Sequence, residues 1–594
     1  MKHLPAFFFR AVVTAAAVAA ASCIDNDIPY PTVELNVLSV SGDGFTLRSI
    51  DAATRTVTLT LEEQTDIRNV RIDRVELSCT PHNTKLTAED LQSQVRLSRS
   101  PEGTFDLRTP LEFTLSLYQD YTWRIVAEQT IEYRFGVAGQ VGSALFDLDN
   151  RIATAFVAKE ADRSQVTVTE LKLGPANTEE YPDVTAYSET IEELSTLDYS
   201  APEGSDDPTS GTPHFVEVTV HGRTERWTLY ILPTDKSVEL LAADAWSRVV
   251  WLRGSGIAGK EVGFRYRLAD AGEEGEWLEV PDVTTEGGTF RARFSATEET
   301  AYQFKAYCAD EETDPVSVTT DRVAQVPNSD LEAWCTLKNI IYPYAADDEP
   351  YWGSGNVGAN MANAVLTDKI ADPRPGSMGQ YSAVLQSKYA TLLGIGKFAA
   401  GNLFLGRYAY TDGTNGILTF GRSFTLRPTA LRVWVKYKHG TINQLDTPKN
   451  QEVNVGDGLI LHKGDPDNGI IYIALGTWTK EQYGIVPKEI DKVNGQQLGG
   501  TILGTDDSPL VITTRETARQ LFRNDTKEVI GYGEYIMTKT IEEWSEVVIP
   551  INYRATDIRP TNIIIVSSAS RWGDYFVGST DSRMQLDDFE LLYE

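Results

Sequence analysis

Aromatic residues that stand beside polar groups in loop-like stretches are the part of this sequence that could carry chemistry. Their rings can stack on the apolar face of a sugar, while amides, carboxylates and Arg hold its hydroxyl groups. We predict a saccharide-binding site from these residues: Tyr351, Trp352, Asn356, Trp478, Arg571, Trp572, Asp574 and Tyr575. For each ring the alternative is packing beneath its own loop. Trp572 is the first choice and Trp352 the second, whereas Trp434 and Trp544 lie in alternating apolar runs and are predicted to be core residues.

No spacing in the sequence marks catalytic residues. A glycosidase needs two carboxyl groups about 5 to 10 Å apart, but the 85 acidic residues allow many such pairs and no spacing selects one. There is no GxSxG nucleophile elbow, and the glycine-rich runs follow no strand-to-helix pattern that would hold phosphate. The histidines show no HxxxH spacing and the cysteines form no CxxC pair, so zinc and iron motifs are missing. Whether the protein is an enzyme stays open.

Residues 1–22 have the pattern of a bacterial signal peptide. A basic start precedes an apolar run over residues 11–21, which is shorter than the span of about 20 residues that crosses a bilayer. The small residues Ala21 and Ser22 before Cys23 resemble the lipobox of bacterial lipoproteins. This resemblance implies that Cys23 is lipidated and becomes the new N-terminus. The alternative is ordinary secretion, with Cys23 left in the mature chain.

The residues after Cys23 and the overall charge bear on location and partners. Asp25 and Asp27 resemble the acidic tract that directs lipoproteins of glycan-foraging Gram-negative anaerobes to the cell surface. This implies a lipid-anchored, surface-exposed outer-membrane protein, with the periplasmic face as the alternative. The net charge of −31 disfavours nucleic acid and anionic lipid head groups. We therefore expect no nucleic-acid partner, and membrane contact through the N-terminal lipid anchor only.

The length and the hydrophobic pattern predict several β-sheet domains. A chain of 594 residues is too long for one core. Short alternating apolar runs predict an all-β chain, with one short helix within residues 514–523 as the exception. A repeat relates residues 51–81 to residues 149–175, which predicts tandem sandwiches. The predicted boundaries are a signal peptide at 1–22, immunoglobulin-like domains at 23–135 and 136–236, a fibronectin III-like domain at 237–325, and a larger last unit at 326–594.

The last unit carries several motifs that are typical of one family. It opens with Asn328-Ser-Asp-Leu-Glu-Ala-Trp334 and closes with Leu586-Asp-Asp-Phe-Glu-Leu591, and other motifs lie at residues 351–356, 399–406 and 420–437. Together they resemble the putative carbohydrate metabolism domain family over nearly all of residues 326–594. The resemblance implies a two-sheet jelly roll akin to carbohydrate-binding modules, and a role in glycan use.

The two ends of this unit also imply a metal site. In jelly-roll carbohydrate-binding modules, carboxylates near both ends often hold a structural calcium ion. The resemblance therefore implies calcium at Asp330, Glu332, Asp587 and Asp588, since Ca²⁺ takes about six to eight oxygen ligands. The alternative is that these four are solvated acids on adjacent strand ends.

Three functions follow from the sequence, and they belong to different classes. The first is an outer-surface lipoprotein that binds glycans through its jelly-roll domain as part of carbohydrate use, with the preceding sandwiches as a stalk. The second is a glycoside hydrolase or lyase on the same domain. The third is a surface assembly or adhesion protein that binds other proteins.

Overall fold

The computed structural model describes residues 32–82, 87, 91–205, 207, 209–272, 275–392, 395–446, 450–456 and 458–594. These residues form an all-β protein, as predicted. Apart from the gaps between these ranges, the described residues divide into two compact units, one of residues 32–60 and 67–128 and the other of residues 61–66 and 129–594. The predicted signal peptide, Cys23 and its acidic neighbours lie outside the described residues. Within the described ranges, no helix is long and apolar enough to span a bilayer.

The first unit contains two sheets. One has three strands in the spatial order Thr32–Asp43, Val70–His82 and Gly103–Phe105. The other has five strands in the order Phe45–Asp51, Thr56–Leu61, Asp120–Gln129, Leu111–Ser116 and Arg96–Leu97. Buried side chains alternate along Thr56–Leu61 and Leu111–Ser116, which is the pattern of strands with one face on a core. Trp123 is fully buried in this unit.

The second unit begins with two sandwich-like regions. In the first, a five-stranded sheet has the order Leu145–Asp147, Ile152–Ala158, Arg223–Thr234, His214–Val220 and Thr185–Tyr187, and Arg134–Val137 pairs with Val168–Lys172. The next region has two sheets. One contains four strands in the order Val238–Ala245, Val249–Gly256, Thr289–Ser295 and Thr284–Glu286. The other contains Leu278–Glu279, Val262–Leu268, Ala301–Cys308 and Glu311–Glu312 in that order, and Val316–Thr319 also pairs with Ala301–Cys308. The predicted domain boundaries stay predictions.

The rest of the second unit, from residue 326 on, is a sandwich of two larger sheets, and we call it the C-terminal domain. The nine-stranded large sheet has the order Leu510–Thr513, Asn415–Phe420, Asn402–Asp412, Asn562–Ser568, Gly469–Gly476, Val529–Met537 and Asn552–Tyr553, with Trp352–Gly353 and Arg422–Ser423 added at its side. The small sheet has five strands in the order Thr367–Ile370, Ser382–Gln386, Arg583–Leu592, Ala430–Lys438 and Ile541–Pro550.

Short elements decorate these sheets. The two-stranded pairs are Cys335–Leu337 with Ile340–Tyr342, Lys388–Leu392 with Ile395–Ala399, Gly440–Thr441 with Pro466–Asp467, Gln444–Leu445 with Val577–Gly578, Glu452–Asn454 with Ile460–His462, and Lys492–Val493 with Gln496–Gln497. The helices are Ile191–Leu194, Ala269–Ala271, Asn356–Ala359, Asn360–Ala362, Lys480–Tyr483, Glu516–Ala518 and Gly573–Tyr575. The helix predicted within residues 514–523 is reduced to the 3-10 turn Glu516–Ala518, because Gln520 bonds back to strand residue Thr513.

Alternation along the strands builds the core of the C-terminal domain. In Ala430–Lys438, Leu431, Val433, Val435 and Tyr437 are buried and the residues between them face outward. They meet the inward side chains of the large sheet, such as Ile471 and Ile473, in one core cluster. Burying an aliphatic side chain contributes about 1.5 to 3 kcal/mol, so this shared core is what holds the two sheets together.

A buried contact joins the region before residue 326 to the C-terminal domain. The ring of Trp246 lies 4.5 Å from the ring of Tyr553, and its Nε1 donates a hydrogen bond to the Thr556 carbonyl at 2.9 Å. Arg427 donates to the same carbonyl at 2.8 Å and lies 3.5 Å from Asp321. Burial lowers the pKa of Arg427. Trp246 therefore contacts the C-terminal domain as well as its own domain.

Candidate functional site

A cavity of about 220 Å³ lies on the outer face of the large sheet. Its floor consists of outward side chains of four neighbouring strands: Phe404, Tyr408, Leu418, Phe420, Ile470, Tyr472, Val566 and Ser568. The inward neighbours of these residues, such as Leu403, Leu405 and Ile471, belong to the core between the sheets. The period-two alternation of a strand thus places a row of aromatic rings under the cavity.

Three short segments form the walls. They are the helical segment around Asn356–Ala359, the hairpin strand Ile395–Ala399, and the turn Gly573–Tyr575. Gly358 allows the first wall to approach the floor, because a Cβ atom there would lie 2.4 Å from the Tyr408 hydroxyl oxygen. That hydroxyl is 3.0 Å from the hydroxyl of Thr411. The cavity therefore has an aromatic floor and walls that bring polar and charged groups over it.

Asp574 is the carboxyl group of the cavity wall. The side chain keeps contact with solvent through the cavity, but the protein around it removes much of its hydration. This desolvation raises the pKa of Asp574 from its ordinary value of 3.8 to about 6, against the opposite effect of the Arg519 charge. Asp574 can therefore change charge near neutral pH, accepting hydrogen bonds when ionised and donating one when protonated.

Lys397 on the hairpin strand Ile395–Ala399 brings a positive charge to the lining, and this charge is already partnered. Its Nζ lies 3.4 Å from Asp446 and donates to the Asn415 side-chain oxygen at 3.1 Å. It also lies 3.5 Å from the centroid of the Phe576 ring. Burial lowers the pKa of Lys397, and the Asp446 carboxylate opposes that shift. Lys397 is thus fixed in place by a carboxylate, an amide and a ring.

Arg571 is the second cation of the wall, and its environment differs. Its guanidinium lies 4.9 Å from the ring centroid of Trp572. Among the residues that the structure describes, no carboxylate lies within 4.0 Å of it, and only its backbone N–H is hydrogen-bonded, to the Asn468 carbonyl at 2.7 Å. Cation–π contact orients the guanidinium but leaves its five N–H donors available.

A buried carboxyl anchors the chain segment that carries this wall. Asp467 Oδ2 accepts hydrogen bonds from Ser570 Oγ at 2.7 Å, Ser579 N at 2.7 Å and Ser582 Oγ at 2.6 Å. Its Oδ1 has no partner among the described residues. Burial raises the pKa of Asp467 to about 6, although the three donors act to lower it. This single carboxyl therefore ties down both ends of the segment 570–582.

The first group of predicted site residues does not line the cavity, although Asn356 belongs to the helix that forms one wall. Trp352 is only 1% exposed, packs 5.1 Å from the Phe589 ring and donates to the Pro327 carbonyl at 2.8 Å. Tyr351 is half-buried against the same core. Asn356 is buried, and its amide makes four hydrogen bonds, to Ile341, Leu366 and Thr367. The prediction that Trp352 stands exposed on a loop is wrong, because its loop is closed by the core beneath it.

The second group is divided. Arg571 and Asp574 line the cavity, and this brings two of the predicted residues together. Trp478 is 3% exposed and packs in the apolar layer on the outer face of the large sheet, so the prediction of an accessible ring is wrong there too. Trp572 and Tyr575 are half-buried and pack on a small cluster with Val577. Trp572 presents one side to Arg571 instead of standing free.

The four acids predicted to bind calcium are engaged with protein donors. Glu332 Oε1 accepts from the backbone N–H groups of Gln380 at 2.9 Å and Tyr381 at 2.8 Å. Asp588 pairs with the Arg374 guanidinium, Asp587 Oδ2 accepts from Arg374 N at 2.7 Å, and Asp330 is exposed.

A β-bulge turns the side chains of Asp587 and Asp588 in different directions: Asp588 takes φ 45° and faces outward, while Asp587 is buried. Asp587 Oδ1 has no partner among the described residues, and burial raises the pKa of Asp587 to about 6. Across the described ranges no three His, Cys, Asp or Glu side chains gather as a metal cluster would require. The four acids do not fit a calcium cage as they stand, and calcium there stays a prediction.

Several cavity residues escaped sequence reasoning. Tyr472 and Tyr408 lie inside strands, where the apolar pattern around them does not mark them as ligand-facing groups. The signal was present for Tyr472, which is the one polar aromatic residue within Ile470-Ile-Tyr-Ile-Ala474 and so marks an outward position. Lys397 and Asp467 gave no signal, because their partners Asp446 and Ser582 are distant in sequence.

Comparison with known proteins agrees with the motifs at the two ends of this domain. Residues 328–592 match the model of the putative carbohydrate metabolism domain family. The C-terminal domain is a putative carbohydrate metabolism domain. The match spans both sheets and all the residues that line the cavity. No curated protein matches the chain.

Two solved structures resemble the chain that contains this carbohydrate metabolism domain. A putative glycoside hydrolase from Bacteroides thetaiotaomicron is 15% identical, with 78% of this chain and 96% of that chain covered and a TM-score of 0.26. A putative glycoside hydrolase from Bacteroides vulgatus is 20% identical, with 45% of this chain and 97% of that chain covered and a TM-score of 0.27. At these TM-scores neither likeness bears on the activity of this chain.

Proposed function

We propose that the protein binds glycans in the cavity on the large sheet of its carbohydrate metabolism domain. One observation carries the proposal: a concave site whose floor contains the half-buried rings of Tyr408 and Tyr472 beside the buried rings of Phe404 and Phe420, with Asp574 and Arg571 on its wall. Aromatic floors match the apolar faces of sugar rings, and a few fixed polar groups select the hydroxyl pattern. The family match to carbohydrate metabolism supports the same ligand class.

Binding is favoured over hydrolysis by the acids of the cavity. Hydrolysis of a glycosidic bond usually takes two carboxyl groups about 5 to 10 Å apart. Asp574 is the only carboxylic acid among the described residues that line the cavity. A single carboxyl with a pKa near 6 is suited to hold a hydroxyl group, and the second carboxyl of a glycosidase is missing from this lining.

We place this binding protein on the outer surface of a bacterial outer membrane, held by a lipid on Cys23. The basis is the sequence of residues 1–27, with its apolar run, the small residues before Cys23, and Asp25 and Asp27. The sandwiches before residue 326 then act as a stalk. Metabolic labelling with an alkyne fatty acid in the native host tests the anchor, because Cys23→Ala removes the label while wild type keeps it.

The glycan proposal is tested with the purified chain on a glycan array, followed by titration of each retained glycan. Tyr472→Ala removes a floor ring, and a ring contact is worth about 0.5 to 1.5 kcal/mol, so its affinity falls about two- to tenfold. Tyr118→Ala is the matched control, because Tyr118 is an exposed aromatic residue of the first unit. An array that retains no glycan at millimolar sensitivity contradicts the proposal.

Two other outcomes distinguish the alternative functions. Release of reducing ends from a retained glycan, lost in Asp574→Asn, identifies a hydrolase or lyase. Capture of a protein partner that is unchanged by Tyr472→Ala identifies an assembly or adhesion protein. For the predicted calcium site, a melting temperature that rises with CaCl₂ and falls with a chelator, but does neither in Asp587→Asn, supports metal binding.

A further inference from the structure

We infer that the cavity takes a sugar residue bearing an anionic group, a carboxylate or a sulfate ester, and that Arg571 binds this group. The inference rests on the proposed glycan binding and adds the chemical class of the ligand. Its starting point is the contrast between Arg571 and the other arginines of the same domain.

Most arginines of the domain are neutralised by an acid. Seven have a carboxylate within 4.0 Å: Arg374, Arg422, Arg427, Arg432, Arg515, Arg523 and Arg559. Of the arginines without such a partner in the described part of the domain, Arg571 is the one that lines the cavity. Acids outnumber bases in this chain by 85 to 54, so a guanidinium left without a carboxylate at a concave site points to an anion from outside.

The surroundings of Arg571 hold it ready for such an anion. The Trp572 ring under the guanidinium fixes its plane without using its donors. A guanidinium presents two parallel N–H groups to a carboxylate or sulfate, which gives a strong and directional contact. Lys397 adds a second positive charge to the lining, although Asp446 partly offsets it. Trp572 is therefore a positioning residue for Arg571, and the floor rings are left to contact the sugar.

Asp574 limits how many charges the ligand can carry. It shares the lining with Arg571 and Lys397, so an anionic sugar must place its charge toward Arg571 and its hydroxyl groups toward Asp574. A sugar with one anionic group meets this arrangement, because the neutral part of the ring can accept or donate hydrogen bonds at Asp574. A densely sulfated sugar would bring a second negative charge against the Asp574 carboxylate.

The experiment is a calorimetric titration of the purified full chain with matched sugars. The probes are galacturonic acid and glucuronic acid disaccharides, a 6-sulfated galactose disaccharide, and the neutral disaccharides of galactose and glucose. Wild type binds a charged probe about tenfold or more tightly than its neutral counterpart. Arg571→Gln abolishes that preference, and Arg571→Lys retains part of it. Arg407→Gln is the matched control, because Arg407 is an exposed arginine of the same sheet outside the cavity.

The outcomes separate this inference from the proposed function. If neutral and charged probes bind equally, or if Arg571→Gln weakens both alike, the anionic class is wrong while glycan binding stands. If no probe of either kind binds, and the glycan array is also blank, both are overturned. Binding of uronic acids but not of the sulfated probe assigns the anion as a carboxylate, and the reverse assigns it as a sulfate ester. Unchanged melting temperatures show that each variant is folded.

Discussion

The two outer faces of the carbohydrate metabolism domain both place basic side chains on tryptophan rings. On the small sheet, the Arg374 guanidinium lies 4.9 Å from the Trp434 ring and the Lys436 Nζ lies 5.1 Å from the Trp544 ring. On the large sheet, Arg571 lies 4.9 Å from the Trp572 ring. The stacking geometry is nearly the same on both faces.

The faces differ in whether an acidic side chain neutralises each cation. Arg374 pairs with Asp588, and Lys436 lies 3.1 Å from Asp372, so both cations of the small-sheet face are neutralised. We call this face the closed face, and the cavity side of the large sheet the open face. Arg571 has no such acid among the described residues, and it borders a cavity. The difference teaches that a tryptophan with a cation on it is not by itself a ligand site. Under the proposed function, the missing counter-ion and the adjacent cavity distinguish the face that binds ligand from the face that only stabilises the fold.

The largest expected effect concerns how the cavity wall is held. Asp467→Ala removes the acceptor of three hydrogen bonds and leaves the donors of Ser579 and Ser582 buried without a partner, while Ser570 keeps only its hydrogen bond with Ser387. Each buried unsatisfied donor costs about 1 to 3 kcal/mol. We expect urea unfolding to show a loss of about 3 kcal/mol or more for the variant. A loss below about 1 kcal/mol would show that the wall does not depend on this carboxyl.

Asp467→Asn is the control, because it keeps an acceptor and removes the titration. The folded-state pKa of about 6 lies above the ordinary 3.8, so the folded protein binds more protons between these pH values. The wild-type contribution of Asp467 to stability is therefore greatest below pH 3.8 and falls as pH rises to about 6, by about 3 kcal/mol in total. Asp467→Asn should lack this part of the pH dependence.

The next effect tests whether the rings in the floor of the cavity contact the ligand. A Cβ atom at residue 358 would lie 2.4 Å from the Tyr408 hydroxyl oxygen, so Gly358→Ala pushes the Tyr408 ring out of place. The same ring also lies against Gly416, where a Cβ atom would come 3.2 Å from Tyr408 Cε2, so the displaced ring loses packing and the variant loses some stability. We expect about a tenfold loss of affinity for charged and neutral glycans alike, measured at a temperature at which the variant is folded. Unaltered affinity would mean that Tyr408 does not contact the ligand.

The sequence predicted the strands and the core of this domain better than the residues of the cavity. The strand Ala430–Lys438 follows its alternating pattern, and the motifs at residues 328–334 and 586–591 lie near each other, as Phe589 N donates to the Ser329 carbonyl at 2.8 Å. For Trp434 and Trp544 alternation predicted a core position, but both are half-buried on the outer face. A period of two tells which residues share a face, and not which face is the core.

The candidate site was predicted in part, and for a physical reason. Arg571 and Asp574 lie on one short turn, so local composition was enough to find them. Trp352 was placed wrongly because glycines around a ring do not show what packs over it; the Phe589 ring lies more than 200 residues away in sequence. Tyr472 and Lys397 join the site only through sheet order and a hairpin. Contacts of this range are set by topology, which a single sequence does not display.

A smaller effect concerns the charge balance of the open face. Asp574 shares the lining with Arg571 and Lys397, the Arg519 charge acts on it, and its own charge acts on Tyr472. Below its pKa of about 6 Asp574 is neutral, while a sugar carboxyl, like other α-carboxyls, stays ionised above about pH 4. A uronic acid should therefore bind about two- to fivefold more tightly at pH 5 than at pH 7.5.

Asp574→Asn checks that assignment, since its affinity for the same uronic acid should be nearly flat over this pH range. A neutral glycan serves as the internal control, because its affinity has no charge term with Asp574. An affinity that falls on acidification in wild type would show that the ionised Asp574 helps to bind the ligand, and the charge balance of the open face would then be the reverse of the one described.

The smallest effect is expected on the closed face. Lys436→Gln breaks the ion pair with Asp372 and removes the cation from the Trp544 ring. Partly exposed ion pairs and cation–π contacts are each worth about 0.5 to 1 kcal/mol, so the loss of both should lower the free energy of unfolding by about 2 kcal/mol at most. Glycan affinity should not change. If Lys436→Gln weakens binding of the charged sugars as much as Arg571→Gln does, the small-sheet face also binds ligand, and the presence of a counter-ion does not separate the two faces.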